Sequence, residues 1–526
     1  MISQVGSDDF ETFDPPYQNK EENNSFHRLP RFSPHRHSTS ELTAFDLKPP
    51  PPTGSDPHCE IIAERLFSVD HLQVIFKDHT HFQRFRGFLN RYQPQLIPTL
   101  VHYLESQKAL TAIRYANAVA DQLSIPAWQN SHCPHDTAAA MIDHEFERSS
   151  QEALDRLVAD ALPAYITHRI VTLVTECLVK EITGSTVPLM REFVHGLAEV
   201  YCLADAKQPD NPTVFASEEF YNTTQYGREY VIGKNCRFLQ GPKTQKAALK
   251  RISDALQNGQ ESNEILLNYR RDGSPFLNLS MISPLMDSRG QVRYYIGAQI
   301  DVSHLLEAGR GLDSFRRLLD LDREDTSTVN HIVPPMSQKP SLSLLYELSG
   351  LLNDAETDIV KVRGRETHMH GFNRPESMIS LTGRSNTDNR RFVGMEETED
   401  ISWLSGELSP CRKSPGVYQN YILVRPYPSL RITFTSPSLR IPGLCQSKLM
   451  DRIGGPQHVR EGILRAFAQG IGVTAKISWL TQTQQSESLF EGRPRWIHCT
   501  PLIGSDMKPG VIMIVMVDKE EITGTL

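Results

Sequence analysis

"EILLNYRRDGSPFLNLSMISPL", Glu264 to Leu285, reads as two strands in which "RDGS" makes the hairpin turn. Because side chains alternate across a strand, Phe276, Asn278, Ser280 and Ile282 share one face of the sheet. Downstream, "QVRYYIGAQIDV" supplies a last strand, which carries Gln299. Upstream, "PLMREFVHGLAEV" reads as a short helix. Residues 187–302 are therefore predicted to form an α+β domain, an antiparallel sheet with helices packed on one face.

The pattern changes on both sides of this domain. From 58 to 184 apolar residues recur at helical steps, as in Phe82, Phe85, Leu89, Leu100 and Leu104, which predicts an all-α bundle. Residues 1–57 are polar and carry "PPPPTG", the composition of a disordered tail. After the sheet, Ser303 is expected to cap a helix whose stripe is Leu305, Ala308, Leu312, Phe315 and Leu319, weakened by Gly309 and Gly311. Residues 303–333 are read as this signalling helix with its linker. Residues 334–416 are read as a low-complexity linker interrupted by an amphipathic helix in "PSLSLLYELSGLLNDAE". From 417 to 526 the order of strands and helix in the middle domain recurs, which predicts a second α+β domain.

A chain of 526 residues with a net charge of -8 gives no electrostatic reason to bind nucleic acid. Its eight cysteines, Cys59, Cys133, Cys177, Cys202, Cys236, Cys411, Cys445 and Cys499, have no paired spacing, so free thiols in a reducing, cytoplasmic setting are expected. The apolar runs "IVTLVTECLV" and "VIMIVMV" are shorter than a bilayer span. "FSPHRHS" and "HCPHD" contain ligand-type residues without a tetrahedral set, so no metal is expected.

One thiol stands apart. "GKNCRFLQGP", Gly233 to Pro242, sets Cys236 between an asparagine and an arginine at the start of a helical segment. A nucleophile of the hydrolase type wants a histidine base and a metal wants further ligands; neither is near in the sequence. Packing as a small apolar residue stays open for it.

With "NPTVFAS", "LNYRRDG", "FLNLSMISPL" and "YYIGAQID" in the same order, "GKNCRFLQGP" resembles the light-oxygen-voltage (LOV) family of PAS-type blue-light receptors. The resemblance implies FMN as cofactor. It implies that Cys236 forms a reversible adduct with the photoexcited flavin and that Gln299 reorients its amide to relay the event. It also implies that Asn268, Asn278 and Gln299 meet the polar rim of the ring. Arg237 is expected on the phosphate, and Asn211, Asn235, Leu239, Gln240 and Ile282 in the lining. Two positions depart from the family: Ser253 stands where a second phosphate arginine is common, leaving Lys246, Lys250 or Arg251 as substitutes, and Ser280 replaces a bulky phenylalanine.

"HFQRFRGFLNRYQPQLIPTLVHYLESQKAL" resembles the regulator-of-G-protein-signalling (RGS) fold, although Asn90 is not where that family places its asparagine. In the C-terminal repeat "RIGGP" stands in place of "KNCRF", Arg495 falls opposite Asn278 and Met516 opposite Gln299, so it resembles a PAS domain without the flavin motif. The order of parts is similar to fungal RGS-LOV proteins. What this implies is a blue-light photoreceptor, not an enzyme, that signals through Gln299 to its flanking helix and domains. The RGS resemblance implies a G-protein α subunit as partner; a second copy of the chain is expected through the PAS-like domain or the signalling helix, and an anionic membrane surface met in light is expected from the basic clusters "KVRGR" and "DNRRF" and the releasable helix. The alternative is a G-protein regulator or adaptor whose PAS domain senses redox state or a small ligand.

Overall fold

The computed structural model describes residues 58–122, 140–182, 199–287, 289–328, 340–352, 356–361, 420–439, 441–480 and 492–517. The tail expected over 1–57, nearly all of "PLMREFVHGLAEV", "FSPHRHS" and "HCPHD" lie outside the described residues, as does most of 334–416.

The middle sheet comprises β1 (Tyr201–Asp205), β2 (Thr213–Ala216), β3 (Ser262–Tyr269), β4 (Pro275–Met286) and β5 (Val292–Asp301), in the spatial order β3-β4-β5-β1-β2. All pairings are antiparallel, with Leu266 opposite Asn278 and Ser280 opposite Gln299. Period-two alternation then sorts the side chains. Ile265, Leu267, Leu277, Leu279, Ile296 and Ile300 are buried on one face, where they merge with helical residues such as Leu66, Ile166 and Ile170 into one core. Asn268, Ser280, Ile282 and Gln299 line a cavity on the other.

The helices of the first segment are α1 (His58–Leu66), α2 (Val69–Lys77), α3 (His79–Tyr92), α4 (Ile97–Asp121), α5 (His144–Arg156) and α6 (Leu162–Ile182), of which α1 packs on β4 and α6 on β3. Ser68 and Asp78 cap α2 and α3 by accepting from His71 N at 3.2 Å and His81 N at 2.9 Å. Phe76, Phe82, Phe85 and Tyr165 pack edge to face at the centre, with Phe85 and Tyr165 5.3 Å apart. By length and composition the helical run His144–Lys180 is apolar enough to cross a membrane. This corrects the reading that every apolar run is too short, since helix on both sides extends "IVTLVTECLV". In the fold, Ile170, Val174 and Leu178 of this run are buried in the core.

Two corrections concern the chain beyond the middle sheet. The helix expected from Ser303 is broken into α7 (Ser303–Glu307) and α8 (Asp313–Thr328). Gly309 and Gly311 lie between them with φ of 59° and 76°, a conformation that ends a helix. The cap also differs: the Asp301 carboxylate accepts from Ser303 N at 3.0 Å and Ser303 Oγ at 2.6 Å. Second, the described parts of 303–333 and 334–416 pack on the first helical segment. Phe315 of α8 is fully buried beside His71, and His71 Nε2 lies 2.9 Å from Ser314 Oγ. Helix α9 (Pro340–Leu351) lies along α4, with Gln122 Nε2 donating to Ser341 Oγ at 2.9 Å. In sequence the sheet thus falls between two parts of one helical unit, since α8 packs on α2 and α9 on α4.

A Cβ at Gly311 would overlap Leu173 Cδ2 as well as occupy the left-handed region. Gly311→Ala is therefore expected to lower stability by about 1–3 kcal/mol, read as a lower thermal midpoint. An unchanged midpoint would show that neither the contact nor the backbone angle matters.

Burial pushes the His71 imidazole down to about 4, with the Arg65 and His81 charges adding to the effect and the Leu66 carbonyl opposing it. The unfolded chain holds this proton up to about pH 6.5, so the folded form binds fewer protons between those values. Stability is then full above about pH 6.5 and falls as pH drops, by roughly 2 kcal/mol at about pH 5. His168 is displaced the same way by burial. Denaturant titrations at both pH values should show the loss, reduced in His71→Gln; an unreduced slope would exclude His71 as its source.

The C-terminal unit contains β6 (Tyr421–Val424), β7 (Ile432–Thr435), β8 (Ile453–Gly454), α10 (Gln457–Gln469), β9 (Val473–Trp479), β10 (Arg493–Ile503) and β11 (Pro509–Val517). Its order β7-β6-β11-β10-β9 is the middle sheet's second-first-fifth-fourth-third order repeated. Met516 pairs with Ile497, as Gln299 pairs with Ser280. The face corresponding to the cavity is packed with Ile463, Phe467, Ile477, Trp479, Ile497 and Met516. The two sheets join at Ala216 and Ile503, where Phe215 occupies the space above Gly504 and Gly510.

Candidate functional site

The cavity has a volume of about 620 Å³ and is enclosed by the second face of the middle sheet, the turn Cys236–Leu239 and the helix Lys246–Gln257. Asn235 builds the turn from both sides. Its Oδ1 accepts from Arg237 N at 3.0 Å, and its amide donates to Asp210 O at 2.7 Å. Backbone bonds from Thr213 N to Lys234 O (2.9 Å) and from Gly233 N to Thr213 O (2.8 Å) fasten the approach to β2. Cys236 is carried into the cavity wall by this frame, with Sγ 3.4 Å from Thr213 Oγ1 and 3.8 Å from Cys202 Sγ.

Among the sequence-predicted residues, Asn211, Asn235, Cys236, Arg237, Leu239, Gln240, Asn268, Ile282 and Gln299 line the cavity. Asn278 is fully buried and outside the lining. From there its Nδ2 donates to Asn268 Oδ1 at 2.7 Å and to Gln299 Oε1, so it positions both amides. Gln299 Nε2 in turn donates to Ser280 Oγ at 3.4 Å. Arg237 stands exposed and forked on the Asp210 carboxylate. Ser253 lines the cavity, whereas Lys246, Lys250 and Arg251 do not, and Arg251 is committed to Glu264 at 2.7 Å.

Sequence reasoning missed Cys202, Leu266 and Gly297, which also line the cavity. Their signal was the register: Cys202 lies opposite Gly297, and a Cβ on that glycine would come within 3.2 Å of the Cys202 sulfur. The hydrogen bond from Cys202 draws the Cys236 thiol below its ordinary value against the opposing effect of burial, and the same bond with burial pushes Cys202 up.

The residues present fit the expected FMN in two respects. The buried Asn268 and Gln299 amides, which carry both donors and acceptors, face the cavity, and the rest of the lining mixes apolar side chains such as Leu266 and Ile282 with polar ones. The described cysteines 59, 177, 202, 236, 445 and 499 are free thiols, and no metal-ligand cluster occurs among the described residues.

Residues 200–304 match the PAS domain family. Phototropin-1A of Oryza sativa subsp. japonica is 45% identical over 101 residues, which are 19% of this chain and 11% of the phototropin. Blue-light-activated histidine kinase 2 of Erythrobacter litoralis (strain HTCC2594) is 37% identical over 119 residues, 23% of this chain and 34% of the kinase. The light-state structure of the blue-light photoreceptor Aureochrome1 LOV aligns at 37% identity and a TM-score of 0.21, covering 24% of this chain and 94% of that one. The shared segment is therefore a small part of the curated relatives. The relatives also correct one expectation. Several that share this segment are kinases by name, so the reading of a photoreceptor that is not an enzyme does not stand.

Proposed function

We propose that this chain is a blue-light receptor that holds FMN in its LOV-type domain and responds through Cys236. The observation that carries the reading is the Cys236 thiol set in the wall of the same cavity as the Asn268 and Gln299 amides. FMN held there by Asn268, Gln299 and the rest of the lining would supply light absorption and an excited-state electrophile, and the Cys236 thiol would be the protein group that answers it.

The protein residues then have defined tasks. Thr213 and Asn235 orient the thiol. Asn278 fixes which end of the Gln299 amide faces it, because its Nδ2 is a donor and needs Oε1. Turning the Gln299 amide would set two donors against each other, so the turn is coupled to movement of Asn278 or of β5. Two residues beyond Gln299, Asp301 binds Arg270 and Ser303. Ser303 Oγ accepts from Leu277 N at 2.9 Å and lies 3.9 Å from Cys59 Sγ on α1. A displacement of β5 thus reaches the helical unit through Asp301 and Ser303, and α8 follows as the releasable element.

The test is to load the protein with FMN in the dark and follow its visible absorbance under blue light. Reversible bleaching is expected; an absorbance that light leaves unchanged would overturn the reading.

A further inference from the structure

Cys202 has no task in the photochemistry just described, yet it is buried on β1 with its sulfur 3.8 Å from that of Cys236. We propose that Cys202 and Cys236 are a redox dithiol that closes to a disulfide under peroxide and so withdraws the thiol from the light response. The effect on the light response rests on the photoreceptor reading; closure of the disulfide does not.

The geometry assigns different roles to the two sulfurs. Cys236 is partly exposed to the cavity and sits on a short turn, whereas Cys202 is held in a strand opposite Gly297. The lack of a Cβ at residue 297 leaves the Cys202 sulfur its place beside the turn. An S–S bond is about 2 Å long, so closure asks the turn, not the strand, to move. Cys236 is also the thiol whose proton is more easily lost, the property that selects the site of peroxide attack. By contrast, burial pushes Cys59 up to about 11, and Cys499 lies in the apolar core of the C-terminal unit.

The chemistry balances in two steps. The Cys236 sulfur attacks a peroxide oxygen: an S–O bond forms, the O–O bond breaks, and water leaves with the thiol proton. The Cys202 sulfur then displaces the hydroxyl from Cys236: the S–S bond forms, the S–O bond breaks, and the second thiol proton leaves in a second water. Two thiols are oxidised and one hydrogen peroxide is reduced.

The experiment treats the full chain, FMN-loaded and dark, with hydrogen peroxide, alkylates the free thiols and maps peptides without reduction. A Cys202–Cys236 cross-linked peptide is expected, with blue-light bleaching lost and then restored by dithiothreitol. Cys202→Ala should give no cross-link and a dimedone-reactive sulfenic acid at Cys236. Recovery of both residues as separately alkylated thiols after peroxide, or of Cys202 bridged to another cysteine, would overturn the proposal. Reduced protein that bleaches but never cross-links sinks the dithiol alone. Protein that cross-links but never bleaches upholds the dithiol and sinks the photoreceptor reading.

Discussion

Cys236→Ala is expected to bind FMN and to show no blue-light bleaching at all. The substitution removes one sulfur from a turn whose frame is made by other groups: the Asn235 cap, the Thr213 and Lys234 backbone bonds, and burial of Phe238 and Leu239. The folding cost of such a truncation is about 1 kcal/mol, small beside the stability of a domain. The chemical cost is complete, because no carbon can replace the bond-forming atom. FMN retention, read from flavin fluorescence after gel filtration, separates loss of chemistry from loss of the pocket. Bleaching that survives would remove Cys236 from the mechanism, and Cys202, 3.8 Å away, would be the next thiol to vary.

Phe315→Ala is expected to loosen α8 on α2. Truncating a fully buried phenylalanine costs about 3–5 kcal/mol, which leaves buried Leu318 as the main apolar tie of α8 beside polar ones that are weaker. The Arg84–Asp313 pair is exposed and worth under about 1 kcal/mol, and the Arg65–Asp322 pair, 28% and 39% exposed, is partly screened by solvent. One buried hydrogen bond, His71 to Ser314, adds about 1 kcal/mol. Hydrogen exchange should therefore lose protection over 313–328 in the dark, while the cavity, on the far face of the sheet, keeps its flavin. If those amides stay protected, packing on Phe315 is not what holds the helix, and its release cannot be the step that light controls.

Much of the site was legible because its signals are local. Period-two alternation placed Asn278, Ser280 and Ile282 on one face, and the turn around Cys236 is specified by its neighbour Asn235. The break at Gly309 and Gly311 was also written in the chain, but the apolar stripe across it suggested one helix. What remained hidden depends on pairs far apart in sequence. Cys202 meets Cys236 across 34 residues only because β1 takes a particular register beside β5. Arg251 looked like a phosphate ligand until the fold gave it Glu264.

The sequence by itself determined the strands of the hairpin and their faces, since these follow from backbone periodicity, while the thiol and the amides were singled out by the order of motifs shared with a known family. Only the tertiary structure decided that helices on both sides of the sheet close into one unit over its outer face, and that a second thiol stands beside the first. Burial makes an apolar face seek cover without saying which segment supplies it; that choice is made by shape and register across the whole chain.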